Sequence, residues 1–223
     1  MDFSRCKLSG KYYGGSEKKL GIVLDGAEYM LKFRKETAFG IRNNHFSEYI
    51  GSHIFAALGF RAQETYLGTY RNSQVVACRD FNVQGVQFVP FNDVGESTLD
   101  QDKESYQYEY EDIMRMLMDN SKLTNVEGTV EIFWRIFQFP TSQIRLHGRK
   151  SSYYAVIHSS EFAECDRALA YVYGQIDMDK LENIIDETPM LGEVQKLFYK
   201  HMLRAGYREI IEDAYLHMQK GNV

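Results

Sequence analysis

The chain has 223 residues, of which 44% are hydrophobic, 14% aromatic and 26% charged, and its net charge is −5. This composition is ordinary for a globular protein and argues against a disordered chain. The length allows one moderate domain or one domain built as two lobes. The sequence pI of about 5.7 leaves no global basic footprint, so direct nucleic-acid binding is not expected.

The three cysteines, Cys6, Cys78 and Cys165, lie far apart in the chain and form no CxxC pair. They predict neither a disulfide framework nor a structural zinc site, and their pattern suits a reducing compartment. The first residues contain no apolar signal-peptide core, and no apolar run approaches the ~18 residues that a membrane span requires. We therefore expect a soluble, cytoplasmic protein that does not bind a membrane.

A β-hairpin is predicted near the N-terminus. Residues 20–24 and 28–33 are strand-like. Asp25-Gly26 between them supplies the positive φ that a tight hairpin turn needs. A glycine turn with basic residues, at residues 13–19, precedes the hairpin.

An amphipathic helix is predicted over residues 45–59, because apolar residues recur there at spacings of three and four. Asn43 or Asn44 is expected to cap its start, and Gly59 to end it. Two further strands are predicted at residues 65–70 and 74–78, with a turn between them at residues 71–73. The first 80 residues therefore run strand, strand, helix, strand, strand.

Residues 82–104 are polar and irregular, which predicts a hinge or connector. The chain beyond it is mostly helical in pattern, and Gly206 is expected to separate the last two helices. The predicted helical or apolar segments are residues 106–118, 130–139, 160–172, 178–185, 190–205 and 209–218.

A protein kinase has the same order of elements: an antiparallel sheet with one inserted helix, a hinge and a helical lobe. Order alone is only an analogy, but particular residues add to it. Residues 28–33 resemble the third strand of HipA-type serine/threonine kinases, whose lysine, here Lys32, binds nucleotide phosphates. Residues 47–50 resemble the start of that family's helix, whose glutamate, here Glu48, can pair with the lysine.

Later segments extend the resemblance over most of the chain. Residues 67–70 and 75–81 resemble the family's fourth and fifth strands running into the hinge, and residues 164–169 with the terminal helices resemble its C-terminal end. The resemblance implies an α+β, protein-kinase-like fold with an N-terminal antiparallel sheet and a shortened, mainly helical C-lobe. The expected N-lobe, hinge or connector, and C-lobe are residues 1–81, 82–104 and 105–223.

The resemblance also implies a nucleotide site, with ATP as its ligand, in a bacterial protein related to toxin–antitoxin kinases. A fixed cation on a rigid strand, a glutamate that orients it and free backbone N–H groups suit phosphate binding. The hinge would offer backbone hydrogen bonds and an aromatic face to adenine. The candidate nucleotide-binding residues are Gly14, Gly15, Ser16, Lys32, Glu48, Arg79, Asp80 and Phe81.

Each of these residues also has a structural interpretation. Lys32 is equally well explained as a solvated charge at the end of a strand, and a Gly-Gly-Ser turn is usually only a turn. Phe81 is more often a core residue than an adenine shelf. Glu48 in the first turns of a helix also favours the positive end of the helix dipole.

The segment that performs catalysis in HipA-type kinases is missing here. Phosphoryl transfer needs a carboxylate near the acceptor hydroxyl, and an Asp and an Asn to hold magnesium. No aspartate occurs from Asn120 through Cys165, and no Asp-Arg-His triplet exists in the chain. The flanks resemble segments that lie before and after the family's catalytic loop, so we expect no catalytic residues and no metal ligands, which argues against bound magnesium.

Three functions remain open on this reading. The first is a catalytically deficient, HipA-like protein that acts by binding a nucleotide, a protein or both. The second is an active ATP-dependent serine/threonine kinase with displaced metal ligands. The third is an interaction module without nucleotide binding, and a shortened chain of this kind could also pair with a second copy to cover its core.

Overall fold

The computed structural model describes residues 1–14, 18–37, 40–82, 108–109 and 144–221. The chain divides into two compact units, the first made of Met1–Phe88 and Asp177–His201 and the second of Val89–Ile176 and Met202–Val223. Among the described helices, none is long and apolar enough to cross a membrane. The segment predicted at 130–139, and nearly all of those at 82–104 and 106–118, lie outside the described residues.

Strands dominate the first 80 residues and helices the last 70. In chain order the elements are β1 Lys7–Leu8, β2 Lys19–Leu24, β3 Ala27–Phe33, β4 Lys35–Thr37, β5 Gly40–Arg42, α1 Asn44–Ala57, β6 Thr65–Tyr70, β7 Ser73–Arg79, β8 Tyr108–Glu109, β9 Ile144–Leu146, β10 Arg149–Lys150, α2 Tyr153–His158, α3 Ala163–Gln175, α4 Met178–Asp186, α5 Glu193–Gly206, a π-helical turn Tyr207–Glu212 and α6 Asp213–Gly221.

The first unit contains a five-stranded sheet of order β1-β2-β3-β7-β6, in which every neighbouring pair is antiparallel. The predicted order strand, strand, helix, strand, strand is confirmed. The sequence reading missed three short strands in this part, β1, β4 and β5. They have only two or three residues each, too few for an alternation of apolar and polar residues to be recognised.

Two tight turns set the register of the sheet. Asp25 and Gly26 have φ values of 50° and 80°, as the predicted hairpin turn requires. Arg71 and Asn72 have φ values of 47° and 66° and form the second turn, while Ser73 already belongs to β7. Leu24 therefore pairs with Ala27, and Tyr70 with Ser73.

One face of the sheet carries a fully buried core that includes the N-terminal segment. Tyr29, Leu31 and Phe33 alternate along β3 into this core, where Phe3 and Ile22 are also buried. The Phe3 N–H donates to the Thr69 carbonyl at 2.8 Å, so the chain's first residues lie against the β6 edge of the sheet. Phe3 is therefore a core residue, although no sequence pattern predicted this.

Helix α1 covers the other face of the sheet, where it contacts β6 and β7. It begins at Asn44, one residue earlier than predicted, and neither asparagine caps it with its side chain: Asn43 is the N-cap residue but makes no such hydrogen bond. Its end agrees with the prediction, since Gly59 has a φ of 86° just past the last turn.

His45, in the first turn of α1, is the most deeply buried titratable side chain of this helix, with no exposed surface. Its ring lies 4.0 Å from that of Phe46. The nearby Gln74 side chain favours the protonated ring and acts to raise the pKa of His45. Neither ring nitrogen has a hydrogen-bond partner of normal geometry among the described residues. Burial, helped by the nearby Arg34 charge, lowers the pKa of His45 to about 4.

Stability should therefore decrease on mild acidification. Between about pH 6.5 and pH 4 the unfolded chain binds a proton at this imidazole and the folded chain does not, so the free energy of unfolding decreases as the pH falls. From pH 7.5 to 5.5 we expect a loss of about 1 kcal/mol. Urea unfolding of the His45→Leu variant should lack this loss, whereas the exposed-site variant His201→Leu should keep it. An unchanged slope in His45→Leu would contradict the assignment.

The first unit also includes residues that follow the predicted N-lobe in the sequence. The Lys180 ammonium, on α4, donates to the Ala57 carbonyl at 3.4 Å, and α4 packs against α1. The Tyr199 hydroxyl, on α5, is 2.8 Å from the Ser47 hydroxyl. The compact unit around the sheet is thus assembled from two separate stretches of sequence. The prediction from the sequence had placed these stretches in different lobes.

In the second unit the described helices α2, α3 and α6 pack on one another. The predicted break at Gly206 is wrong, because this residue is helical (φ −58°, ψ −41°) and the chain continues through the π-helical turn into α6. The Tyr173 ring stacks on the Tyr215 ring at 4.0 Å and lies 6.2 Å from the Tyr207 ring. These aromatic contacts on both sides of the turn outweigh the tendency of a single glycine to end a helix.

A small sheet of order β10-β9-β8 completes the described part of the second unit. Tyr108 and Glu109 pair with β9 as a parallel strand, although the sequence pattern predicted a helix from residue 106. His147 and Gly148 form the turn between β9 and β10, with φ values of 50° and 75°. A helical pattern in the sequence could not reveal this pairing, because it is a tertiary contact between two residues and a distant strand.

Candidate functional site

Lys32 and Glu48 form an ion pair on the face of the sheet that α1 covers. Lys32 lies in β3 opposite Val76 of β7, and its side chain points away from the core that Leu31 enters. The Lys32 ammonium donates to the Glu48 Oε1 at 2.7 Å. Since one partner is on a central strand and the other on the packed helix, the pair has a defined position.

Burial distinguishes this lysine from an ordinary surface charge. The Lys32 side chain is 16% exposed and that of Glu48 39%. The Lys32 side chain is therefore mostly enclosed but keeps some exposed surface, while the Glu48 side chain is open to solvent. Beside the pair lies Cys78, whose thiol is fully enclosed, and burial raises the pKa of Cys78 to about 12, so it stays protonated and unreactive.

The glycine turn is described only in part, since Gly15 and Ser16 lie outside the described residues. Gly14 has open space where a Cβ would be. Its carbonyl accepts a hydrogen bond from the Lys19 ammonium at 2.5 Å. Lys18 lies over the Phe33 ring, 4.5 Å from its centroid. Both ends of this turn are thus attached to the strands that carry Lys32 and its neighbours.

The predicted hinge residues have several internal partners. The Arg79 N–H donates to the Glu64 carbonyl at 2.9 Å, and the Arg79 carbonyl accepts from the Gln63 amide at 2.7 Å. The Asp80 N–H donates to the Glu28 carbonyl at 2.9 Å. These three backbone groups are therefore already hydrogen-bonded, and Phe81, the next residue, is 48% exposed.

Arg79 belongs to a network that the sequence reading did not find. Its guanidinium donates to Glu64 at 2.7 Å, and the hydroxyls of Tyr66 and Tyr29 donate to the same carboxylate at 2.6 and 2.8 Å. The hydrogen bonds from Tyr66, Arg79 and Tyr29 lower the pKa of Glu64 to about 2. The Arg79 side chain is thereby held by Glu64, the residue directly before β6.

Asp80 is the centre of a second network, which we call the Asp80 cluster: Lys11, Tyr13, Glu28 and Asp80. The Asp80 Oδ2 accepts from the Tyr13 hydroxyl at 2.8 Å and from the Lys11 ammonium at 3.1 Å. Lys11 also pairs with Glu28. These contacts join residues almost 70 positions apart in the chain, so no local sequence pattern could have revealed them.

The structure thus brings together Lys32 and Glu48, and it attaches the segment before Gly14 to Asp80. Among the residues that the structure describes, no group of three His, Cys, Asp or Glu side chains could hold a metal ion. The assignment of Gly14, Lys32, Glu48, Arg79, Asp80 and Phe81 to nucleotide binding stays a prediction.

Comparison with known proteins supports a kinase fold. No family model matches the chain. The serine/threonine-protein kinase CtkA of Helicobacter pylori strain J99 is 25% identical to it over 287 residues, covering 96% of this chain and 87% of the relative. The crystal structure of a Helicobacter pylori proinflammatory kinase CtkA is similar to the whole chain, with a TM-score of 0.78 at 24% identity and 99% of that chain covered.

These similarities confirm the predicted fold class, an α+β kinase-like fold with an antiparallel N-terminal sheet. They also relate the chain to a serine/threonine kinase. The aligned region of 287 residues is longer than this chain's 223 residues. The relative therefore contains residues within the aligned region that have no counterpart here.

Proposed function

We propose that this chain is a catalytically deficient, HipA-like kinase-fold protein that binds the phosphates of ATP and acts in the cytoplasm through binding. The observation that carries the proposal is the Lys32–Glu48 pair, in which a mostly enclosed lysine is held at 2.7 Å by a glutamate of the packed helix. Anions bind where a fixed cation and free backbone N–H groups meet.

The described residues fit the phosphate end of a nucleotide better than its base. Lys32 supplies the cation, Glu48 fixes its direction, and Gly14 leaves the backbone open to close approach. At the hinge, the Arg79 N–H, the Arg79 carbonyl and the Asp80 N–H already have hydrogen-bond partners within the protein. A nucleotide bound in this way would supply negative charge that Lys32 neutralises.

Loss of catalysis is the second part of the proposal. No aspartate occurs between Asn120 and Cys165, where the resemblance would require a catalytic base and magnesium ligands. The surplus of aligned residues in the relative supports the loss of an internal segment from this chain. Without phosphoryl transfer the biological effect would come from what the chain binds, including a protein partner or a second copy.

An active serine/threonine kinase is the alternative, favoured by the relative, which is named as such and matches 96% of this chain. A thermal-shift titration with ATP, with and without magnesium, separates the possibilities. A ligand at 100 times its dissociation constant stabilises the native state by about 2.7 kcal/mol. We expect an upward shift of similar size in both conditions, together with no transfer of radiolabelled phosphate to the chain or to a test protein.

The other outcomes have definite meanings. Phosphate transfer that requires magnesium and disappears in Lys32→Ala would establish an active kinase and contradict the deficiency. A chain that ATP does not stabilise in either condition would be an interaction module without nucleotide binding.

A further inference from the structure

We propose that residues 10–13 form an autoinhibitory strap, which lies on the sheet where the base of a nucleotide would lie and must move away before the base can bind. The inference rests on the proposed nucleotide binding and adds a means of regulating that site. All the residues that carry it belong to the first unit and to the described part of the chain.

The surface that the strap occupies is the side of β2, β3 and β7 that faces away from the apolar core, and we call it the Lys32 face. Leu31 enters that core, so Lys32 and Met30 on either side of it point the other way. Gly21 of β2 pairs with Met30, so a Cβ on this glycine would project onto the same face. Helix α1 covers the part of this face that β6 and β7 form.

A nucleotide that reaches both Lys32 and the hinge has to cross the Lys32 face. Lys32 pairs with Val76 of β7, and Arg79, the first residue of the predicted hinge, is three residues further along that strand. Three residues of a strand span about 10 Å. A ligand with its phosphates at Lys32 and its base at the hinge would therefore lie over Met30 and its neighbours on this face.

Tyr13 occupies that position in the structure. A Cβ on Gly21 would lie 3.2 Å from the Tyr13 Cε2, and the Tyr13 hydroxyl donates to the Asp80 Oδ2 at 2.8 Å. Because β3 lies between β2 and β7 in the sheet, the Tyr13 ring extends from β2 across β3 to the hinge. The Lys11 carbonyl oxygen is 3.3 Å from the same Cβ position. The base of a nucleotide and the Tyr13 ring therefore compete for one surface.

Polar contacts of the Asp80 cluster hold the strap on the sheet. The Asp80 side chain is 5% exposed, and besides Tyr13 it accepts from the Lys11 ammonium at 3.1 Å. Lys11 also pairs with Glu28. Burial acts to raise the pKa of Asp80, but its three hydrogen bonds, the third from the Asn82 N–H, outweigh burial and leave the pKa below its ordinary value. The carboxylate is therefore charged at neutral pH and holds the strap by charge-assisted hydrogen bonds.

Gly10 is the point at which the strap leaves the edge of the sheet. Leu8 pairs with Ile22, and the Ser9 N–H donates to the Gly21 carbonyl at 3.0 Å, so the chain follows the sheet up to this point. Gly10 then has a φ of 75°, which glycine adopts readily and other residues rarely. A Cβ at Gly10 would meet open space, so an alanine here would act through the backbone conformation alone.

The strap can leave the Lys32 face while the sheet stays folded. Neither Lys11 nor Tyr13 belongs to the buried apolar cluster around Phe3 and Leu31. Tyr12, between them, is 93% exposed and takes no part in the attachment. Displacing the strap therefore costs the polar contacts to Asp80 and Glu28 and removes no side chain from the core. This is the property expected of a segment that a ligand can displace.

The test compares Tyr13→Phe with the wild-type chain and with the matched control Tyr12→Phe, using isothermal titration calorimetry with ATP and with adenosine. Tyr13→Phe removes the hydrogen bond to Asp80, so the strap is open in a larger fraction of molecules. The apparent dissociation constant is the intrinsic one divided by that fraction. We expect ATP and adenosine to bind Tyr13→Phe about tenfold more tightly, as for the loss of one hydrogen bond to a charged acceptor. Tyr12→Phe should match the wild type.

Two further variants open the strap by other means. Lys11→Met removes the ammonium between Asp80 and Glu28 and should tighten adenosine binding. Adenosine is the suitable ligand here, because it carries no charge that the two carboxylates would repel. Gly10→Ala should tighten adenosine binding about fivefold, because alanine disfavours the positive φ of the closed strap.

The opposite results are equally clear. If Tyr13→Phe bound ATP and adenosine no more tightly than Tyr12→Phe, the strap would be overturned, and the proposed nucleotide binding would stand. Failure of the proposed function looks different, because then neither the wild-type chain nor any variant binds ATP or adenosine, and both proposals are overturned. Binding by Tyr13→Phe but not by the wild type would support the strap most strongly.

Discussion

Replacing Lys32 by methionine is expected to raise the dissociation constant for ATP by about 10- to 100-fold. The ammonium is the enclosed cation of the candidate site, and a hydrogen bond to a charged group contributes about 1.5–3 kcal/mol. Methionine keeps the length of the side chain, so packing beneath α1 should change little. The substitution also leaves the Glu48 carboxylate, whose side chain is 39% exposed, without its partner.

Two further variants make the test specific. Glu48→Gln should weaken ATP binding less than Lys32→Met, because Glu48 orients the lysine and does not itself attract phosphate. Lys7→Met removes a charge from an exposed residue of the short edge strand β1 and should leave the affinity unchanged. Isothermal titration calorimetry of all three variants gives the comparison. If Lys32→Met and Lys7→Met had the same affinity, the Lys32–Glu48 pair would have a structural role only and Lys32 would not bind phosphate.

A Phe3→Ala substitution is expected to destabilise the first unit by about 3–5 kcal/mol, the usual cost of truncating a buried phenylalanine. Phe3 has no exposed surface and packs in the core with Ile22, Tyr29 and Leu31. The N-terminal backbone adds to this, since the Thr69 N–H donates to the Met1 carbonyl at 2.9 Å. Loss of the side chain would leave a cavity and loosen that attachment.

The matched control for Phe3→Ala is Leu8→Ala, a truncation in the same N-terminal stretch at a side chain that is 52% exposed. We expect Leu8→Ala to lower the free energy of unfolding by less than about 1 kcal/mol, because truncating this exposed side chain removes little buried apolar surface. Urea unfolding followed by circular dichroism measures both variants. Equal destabilisation by the two substitutions would contradict the place of Phe3 in the core.

Much of the first unit could be predicted from the sequence, because its signals are local. Asp25-Gly26 determined a hairpin turn through its backbone preferences, and the strand-like residues on either side of it predicted the paired strands β2 and β3. The apolar stripe of α1 likewise determined a helix. The kinase-like order of elements followed from these three kinds of pattern, and the similarity to the CtkA structure confirms the kinase-like fold.

Contacts between distant residues were decided by the tertiary structure alone. The attachment of α4 to α1, the burial of Phe3 and the helical continuation through Gly206 depend on partners that lie far along the chain. The same holds at the candidate site. The sequence predicts that Asp80 is a hinge residue of the nucleotide site, and this stays a prediction. The structure adds that the Asp80 carboxylate accepts hydrogen bonds from Tyr13 and Lys11.

The sequence by itself therefore determined the order strand, strand, helix, strand, strand in the first 80 residues, identified Lys32 and Glu48 as candidate residues, and showed the lack of aspartate between Asn120 and Cys165. The tertiary structure decided that the lysine and the glutamate meet at 2.7 Å and that Tyr13 is attached to Asp80. The physical reason is that turn and strand preferences act over a few residues, whereas hydrogen bonds and ion pairs depend on which distant side chains the packed sheet brings within about 3 Å.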